Sequence, residues 1–144
     1  MTREDEGHYA KKHLPGTRVD EKIAEAVRSC VQKGRFTCAS AFEIARKLSV
    51  PPIEVGHTAD LLEIRISKCQ LGLFGYGSPK KIVKSSPFDD QDLEKAIQKG
   101  VVNDRLPCAT AFKIAGQFGI TRRKVTAACE RLGIKIGSCQ LGAF

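Results

Sequence analysis

Two kinds of side chain in this sequence carry chemistry in a pattern. Six cysteines are present, and none lies in a Cys-x-x-Cys pair. Four recur at one common offset, Cys38 with Cys108 and Cys69 with Cys139. A thiol so placed packs as a small hydrophobe, ligates zinc beside further N or S donors, or switches by oxidation when a second sulfur is in reach. Two recurring cysteines per half fall short of the four ligands zinc takes. A metal site would therefore pool both halves or two chains, whereas a redox pair needs only Cys38/Cys69 or Cys108/Cys139. The other pattern is the run Thr121-Arg122-Arg123-Lys124. Its guanidinium forks suit guanine edges, and its lysine and hydroxyl suit phosphate. Enzyme chemistry finds no footing: there is no Gly-rich phosphate loop, no His-Glu-x-x-His and no recurring histidine or carboxylate pair beside a nucleophile. The expectation is a protein without catalysis and without a cofactor.

The recurrence extends over most of the chain. Cys38-Ala39-Ser40-Ala41-Phe42-Glu43-Ile44-Ala45 aligns with Cys108-Ala109-Thr110-Ala111-Phe112-Lys113-Ile114-Ala115, and Cys69-Gln70-Leu71-Gly72 aligns with Cys139-Gln140-Leu141-Gly142. From Asp20 and Asp90 onward no gap is needed, and about a third of the positions are identical. The organisation expected is a flexible arm over 1–18, a first repeat over 19–77, a basic linker over 78–87 and a second repeat over 88–144.

Each repeat reads in the same order. Asp20 caps a first helix with an apolar face of Ile23, Ala26, Val27, Cys30 and Val31; Asp89 or Asp90 starts its counterpart, with Leu93, Ala96 and Ile97. A short extended piece follows, Arg35-Phe36-Thr37 or Arg105-Leu106-Pro107. A second helix begins near Cys38 or Cys108, and a tight turn at Ser49-Val50-Pro51 or Gly119-Ile120-Thr121 leads into a third helix. Then the apolar period becomes two: Ile64-Arg65-Ile66 and Ile134-Lys135-Ile136 read as half-buried strands. Ser67-Lys68 or Gly137-Ser138 would turn each into a hairpin whose returning strand is Cys69-Gln70-Leu71 or Cys139-Gln140-Leu141. The fold class expected is mainly α with small β-hairpins, an α+β chain.

Helix, strand, helix, turn, helix and hairpin is the order of a winged helix-turn-helix domain. Ile114, Ala115, Phe118, Gly119, Ile120, Val125 and Ala128 match the family's pattern; the first repeat offers Ile44, Ala45, Leu48, Ser49, Val50, Val55 and Thr58, with Ser49 in place of the usual Gly and Thr58 polar where an apolar residue is usual. Ala lets the helices approach, and Gly takes the positive φ of the turn. The chain thus resembles two tandem winged helix-turn-helix domains of the prokaryotic transcription-regulator type. The resemblance implies that the third helix enters the major groove of double-stranded DNA with its N-terminal residues foremost. In the second repeat these are Thr121, Arg122, Arg123, Lys124 and Thr126. The first repeat offers Pro52, Glu54, Gly56, His57 and Asp60, a surface that phosphate would repel, so the second repeat is the expected main reader. Arg65, Lys68 and Lys135 would be wing contacts, and Lys80, Lys81 and Lys84 would follow the phosphate backbone between repeats.

Charge agrees with a polyanionic partner: 24 Lys and Arg stand against 16 Asp and Glu, a formal net charge of +8. The linker and the second repeat hold about +3 each, most of the excess. The alternatives are a protein-interaction module, including a homodimer, and a thiol- or metal-responsive switch through the repeated cysteines. No apolar run approaches the ~20 residues of a membrane span, and the first residues are too polar for a signal peptide. A cytoplasmic location without membrane contact is the expectation.

Overall fold

A computed structural model describes residues 8–77 and 90–144. Lys80, Lys81 and Lys84 therefore lie outside the described residues, as does the rest of the expected linker. The chain is α+β, six α-helices and four three-residue strands among the described residues, and the strands form two small parallel sheets.

The elements repeat in order. The first set is α1 (Glu21–Cys30), β1 (Arg35–Thr37), α2 (Cys38–Leu48), α3 (Pro52–Leu61) and β2 (Arg65–Ser67). The second is α4 (Gln91–Gly100), β3 (Arg105–Pro107), α5 (Cys108–Phe118), α6 (Arg122–Leu132) and β4 (Lys135–Gly137). Helix starts follow their caps. Asp20 Oδ1 accepts from the Lys22 and Ile23 amides at 2.9 and 3.3 Å. Asp90 does the same for Leu93, and Thr121 Oγ1 accepts from Lys124 N. Each cap satisfies amides that have no partner inside the helix. Ser49 and Gly119 end α2 and α5 in the left-handed region, at φ 54° and 61°. That geometry lets Val50 N and Ile120 N reach back to Ala45 O and Ala115 O, a three-residue turn between helices in each repeat.

The expected hairpins do not form. β2 pairs in parallel with β1, with Arg35 opposite Arg65 and Phe36 opposite Ile66; β4 pairs in parallel with β3, with Arg105 opposite Lys135 and Leu106 opposite Ile136. The alternation holds at Ile66 and Ile136, which are buried with Phe36 and Leu106, but Ile64 and Ile134 precede the strands and are only half-buried. The partner strand is not the expected one. Ile66 and Ile136 gain more apolar contact beside the strand that precedes the second helix than a solvent-facing hairpin would supply. The tight two-residue turns sit elsewhere, at Lys33-Gly34 and Asn103-Asp104, where positive φ at both residues closes a short antiparallel bridge before β1 and β3.

The compact units do not follow the repeat ends. One unit takes the described residues up to Cys69 together with Gln140–Phe144; the other is Gln70–Cys139. Thus the Gln-Leu-Gly segment after each last strand packs in the unit built from the other repeat. Leu71 and Leu141 are fully buried there, worth about 1.5–3 kcal/mol each.

The arm is not free over its described part. Residues 9–12 form a 3₁₀ turn, and Tyr9 is buried. The Tyr9 and Ala10 amides donate to the two oxygens of the Glu63 carboxylate at 2.9 and 2.8 Å. Buried Asp60 accepts from Lys12 Nζ at 3.0 Å and lies 2.9 Å from His13 Nε2. An aromatic residue and two distant carboxylates hold a segment that has no periodicity of its own. Among the described residues, no helix is long and apolar enough to cross a membrane.

Candidate nucleic-acid interface

The first turn of α6 presents the expected basic run, but the fold divides it by use. Thr121 and Lys124 are exposed, and no carboxylate lies in the first turn. Arg123 is exposed; its guanidinium donates to Tyr76 Oη at 2.9 Å and lies 5.0 Å from the centre of that ring. The contact orders Arg123 without burying it, because the phenol and the cation attract while one guanidinium edge stays open. Arg122 is half-buried. Its guanidinium stacks 3.9 Å over the Phe112 ring and donates to the Gln70 side-chain carbonyl. It fastens the Gln70 segment and does not reach outward.

Thr126 is a correction. It is buried, and its hydroxyl donates to Leu71 O at 2.8 Å. A hydroxyl committed to a buried carbonyl has nothing to offer a phosphate. At the equivalent place in α3, Gly56 is also buried: a Cβ there would lie 2.6 Å from the Leu141 carbonyl carbon and 2.9 Å from its Cα. One unit grips the passing leucine carbonyl with a hydroxyl, and the other lets it lie against bare helix backbone. Gly56 and Asp60 are therefore not surface positions of α3. Glu54 is exposed, and His57 is half-buried with its ring 4.7 Å from that of His13.

Of the residues expected on wings, Arg65 and Lys135 lie on the parallel sheets and Lys68 just beyond β2. Lys68 and Lys135 are exposed and Arg65 is half-buried. The strand register sets Lys135 directly opposite Arg105, which is also exposed. Like charges paired across two strands repel, so this edge favours an anion between them. Gly137 lets the Arg105 stem lie along the sheet, since a Cβ there would come within 2.7 Å of Arg105 Cδ. Arg105 was missed as a site residue, although a base recurs at both strand positions, Arg35 with Arg105 and Arg65 with Lys135. That recurrence is the signal that could have found it.

All six cysteines carry thiols, with no disulfide between them. Cys38 and Cys69 lie in one unit, Cys108 and Cys139 in the other. The first three are buried and Cys139 is half-buried. Among the described residues no three His, Cys, Asp or Glu side chains come together to hold a metal ion. Cys129 is buried in α6, and that burial, helped by the neighbouring Glu130 charge, pushes its thiol up to about 11. Such a thiol is inert at neutral pH.

Compared with protein-family models, with curated proteins and with solved structures, the chain matches none.

Proposed function

We propose that this chain is a DNA-binding protein, a regulator built from two tandem helix-turn-helix repeats, in which the second repeat is the main reader. The observation that carries the reading is the first turn of α6. It follows a tight three-residue turn, keeps Thr121, Arg123 and Lys124 exposed, and holds no carboxylate. A helix N-terminus with exposed cations is suited to phosphate and to guanine edges. Here Arg123 is already ordered by Tyr76, which reduces the rotamer entropy lost on binding. The Arg105–Lys135 edge adds a second place for phosphate in the same unit. The first repeat has a comparable strand pair, Arg35 opposite Arg65, but its α3 lacks the first-turn cations: Pro52 and Glu54 stand there, and Asp60 is spent inside. Without hairpins, the non-specific term falls to the strand-borne cations in place of wings.

Duplex binding followed by fluorescence anisotropy at two salt concentrations tests this. The Arg123→Ala/Lys124→Ala variant should bind at least about tenfold more weakly, with a salt dependence reduced by about two counterions. Arg105→Ala/Lys135→Ala should weaken binding evenly across sequences. Absence of binding by the intact protein at low salt would overturn the reading.

A further inference from the structure

The two Gln-Leu-Gly segments act as straps, and we propose that the strap seat on α3 also accepts the strap of a second copy of this chain. Three observations carry this, none of which involves DNA. First, the straps share the sequence Cys-Gln-Leu-Gly and bury the same leucine against the same helical position, Leu141 on Gly56 and Leu71 on Thr126. The α3 seat is helix backbone bared by a glycine, with Ile53 and His57 against Gly142. Nothing in it distinguishes a strap of the same chain from that of another copy.

Second, each strap leaves its own repeat at a left-handed residue that is not glycine, Lys68 at φ 50° and Ser138 at φ 49°. A side chain in that region is strained, and strain in a short hinge favours opening into an exchanged partner. Third, the strap returns to the unit of the other repeat, so closure of the first unit depends on residues far along the chain, Gln140–Phe144. Within one chain the high effective concentration favours the internal strap. A copy whose strap has no seat, meeting a copy whose seat has no strap, removes that advantage.

Two full-length variants make such a pair. Gly56→Ala blocks the seat and leaves the strap intact, while alanine raises helix propensity in α3. Leu141→Asp spoils the strap and leaves the seat open. Sedimentation at submillimolar concentration should show each variant alone as a monomer and the equimolar mixture at twice the monomer mass. A control mixture of Gly56→Ala with the Gly56→Ala/Leu141→Asp double variant should stay monomeric. If either single variant is unfolded alone, circular dichroism replaces the mass readout, and the mixture should regain helical signal. A mixture that stays monomeric with both partners folded, or that gains no helix, overturns the proposal; so does dimer in the control, which would place the association elsewhere.

Discussion

Helices α3 and α6 hold equivalent places in the two repeats and bury the same kind of strap, yet they solve the contact in opposite ways. α6 uses Thr126 to donate to the Leu71 carbonyl and Arg122 to clasp Gln70. α3 has Gly56 and Pro52 at those positions, so Leu141 lies against the helix with neither grip. The surfaces diverge for the same reason. Proline in the first turn of α3 leaves no cation there, and Asp60, turned inward, is used to hold Lys12 and His13 of the arm. In α6 the arginine that clasps the strap is next to one that stays exposed. A duplicated helix can thus keep its packing role while its outer face changes, because the two roles fall on different sides of the helix.

The largest break in this comparison should come from giving α3 the residue of α6. Gly56→Thr places a side chain inside the Leu141 carbonyl group and should cost about 3 kcal/mol by overpacking, read as a lower denaturant midpoint. The reverse effect is absent from α6, where threonine is already accommodated.

A second difference is Cys129, which stands where α3 has Ala59. Its thiol is raised from 9.0 to about 11 in the folded protein. The folded state holds that proton more tightly than the unfolded state. Its stabilisation is therefore complete below pH 9 and lost as pH rises through about 11. The loss amounts to about 2–3 kcal/mol. Subtracting the stability of Cys129→Ala from that of the native chain between pH 8 and 11 should isolate this loss; a flat difference would show the thiol is not desolvated.

Thr126→Ala should cost less, about 1–2 kcal/mol, since it strands a buried carbonyl without opening a large cavity. Arg122→Met should cost least, about 1 kcal/mol, from lost stacking on Phe112 and lost hold on Gln70. Its DNA affinity should change far less than that of Arg123→Ala, which separates the strap-holding arginine from the outward one.

Much of the fold was legible in the residues. Asp20, Asp90 and Thr121 announced their helices as caps, and Ser49 and Gly119 marked the turns. The alternation at Ile64-Arg65-Ile66 and Ile134-Lys135-Ile136 located the last strands. Their pairing was not legible. A strand's alternation says which face is buried, not which neighbour buries it, and Ser67-Lys68 resembles a hairpin turn as readily as a hinge. The candidate site was read in part. Arg123, Lys124 and Lys135 lie exposed as expected, whereas Arg122 and Thr126 are drawn inward by Phe112, Gln70 and Leu71. Arg105 emerged from the strand register.

The sequence by itself determined the duplication, the order of the three helices and first two strands in each repeat, and the concentration of positive charge toward its second half. Those follow from local periodicity, capping and composition, each of which acts over a few residues. Only the tertiary structure decided that the straps change units, that β1 and β2 run parallel, and that the arm docks on Glu63 and Asp60. These contacts join residues far apart in the chain. Their free energy comes from burying Leu71, Leu141 and Tyr9 and from pairing the buried Asp60, and such burial depends on which distant surface meets which.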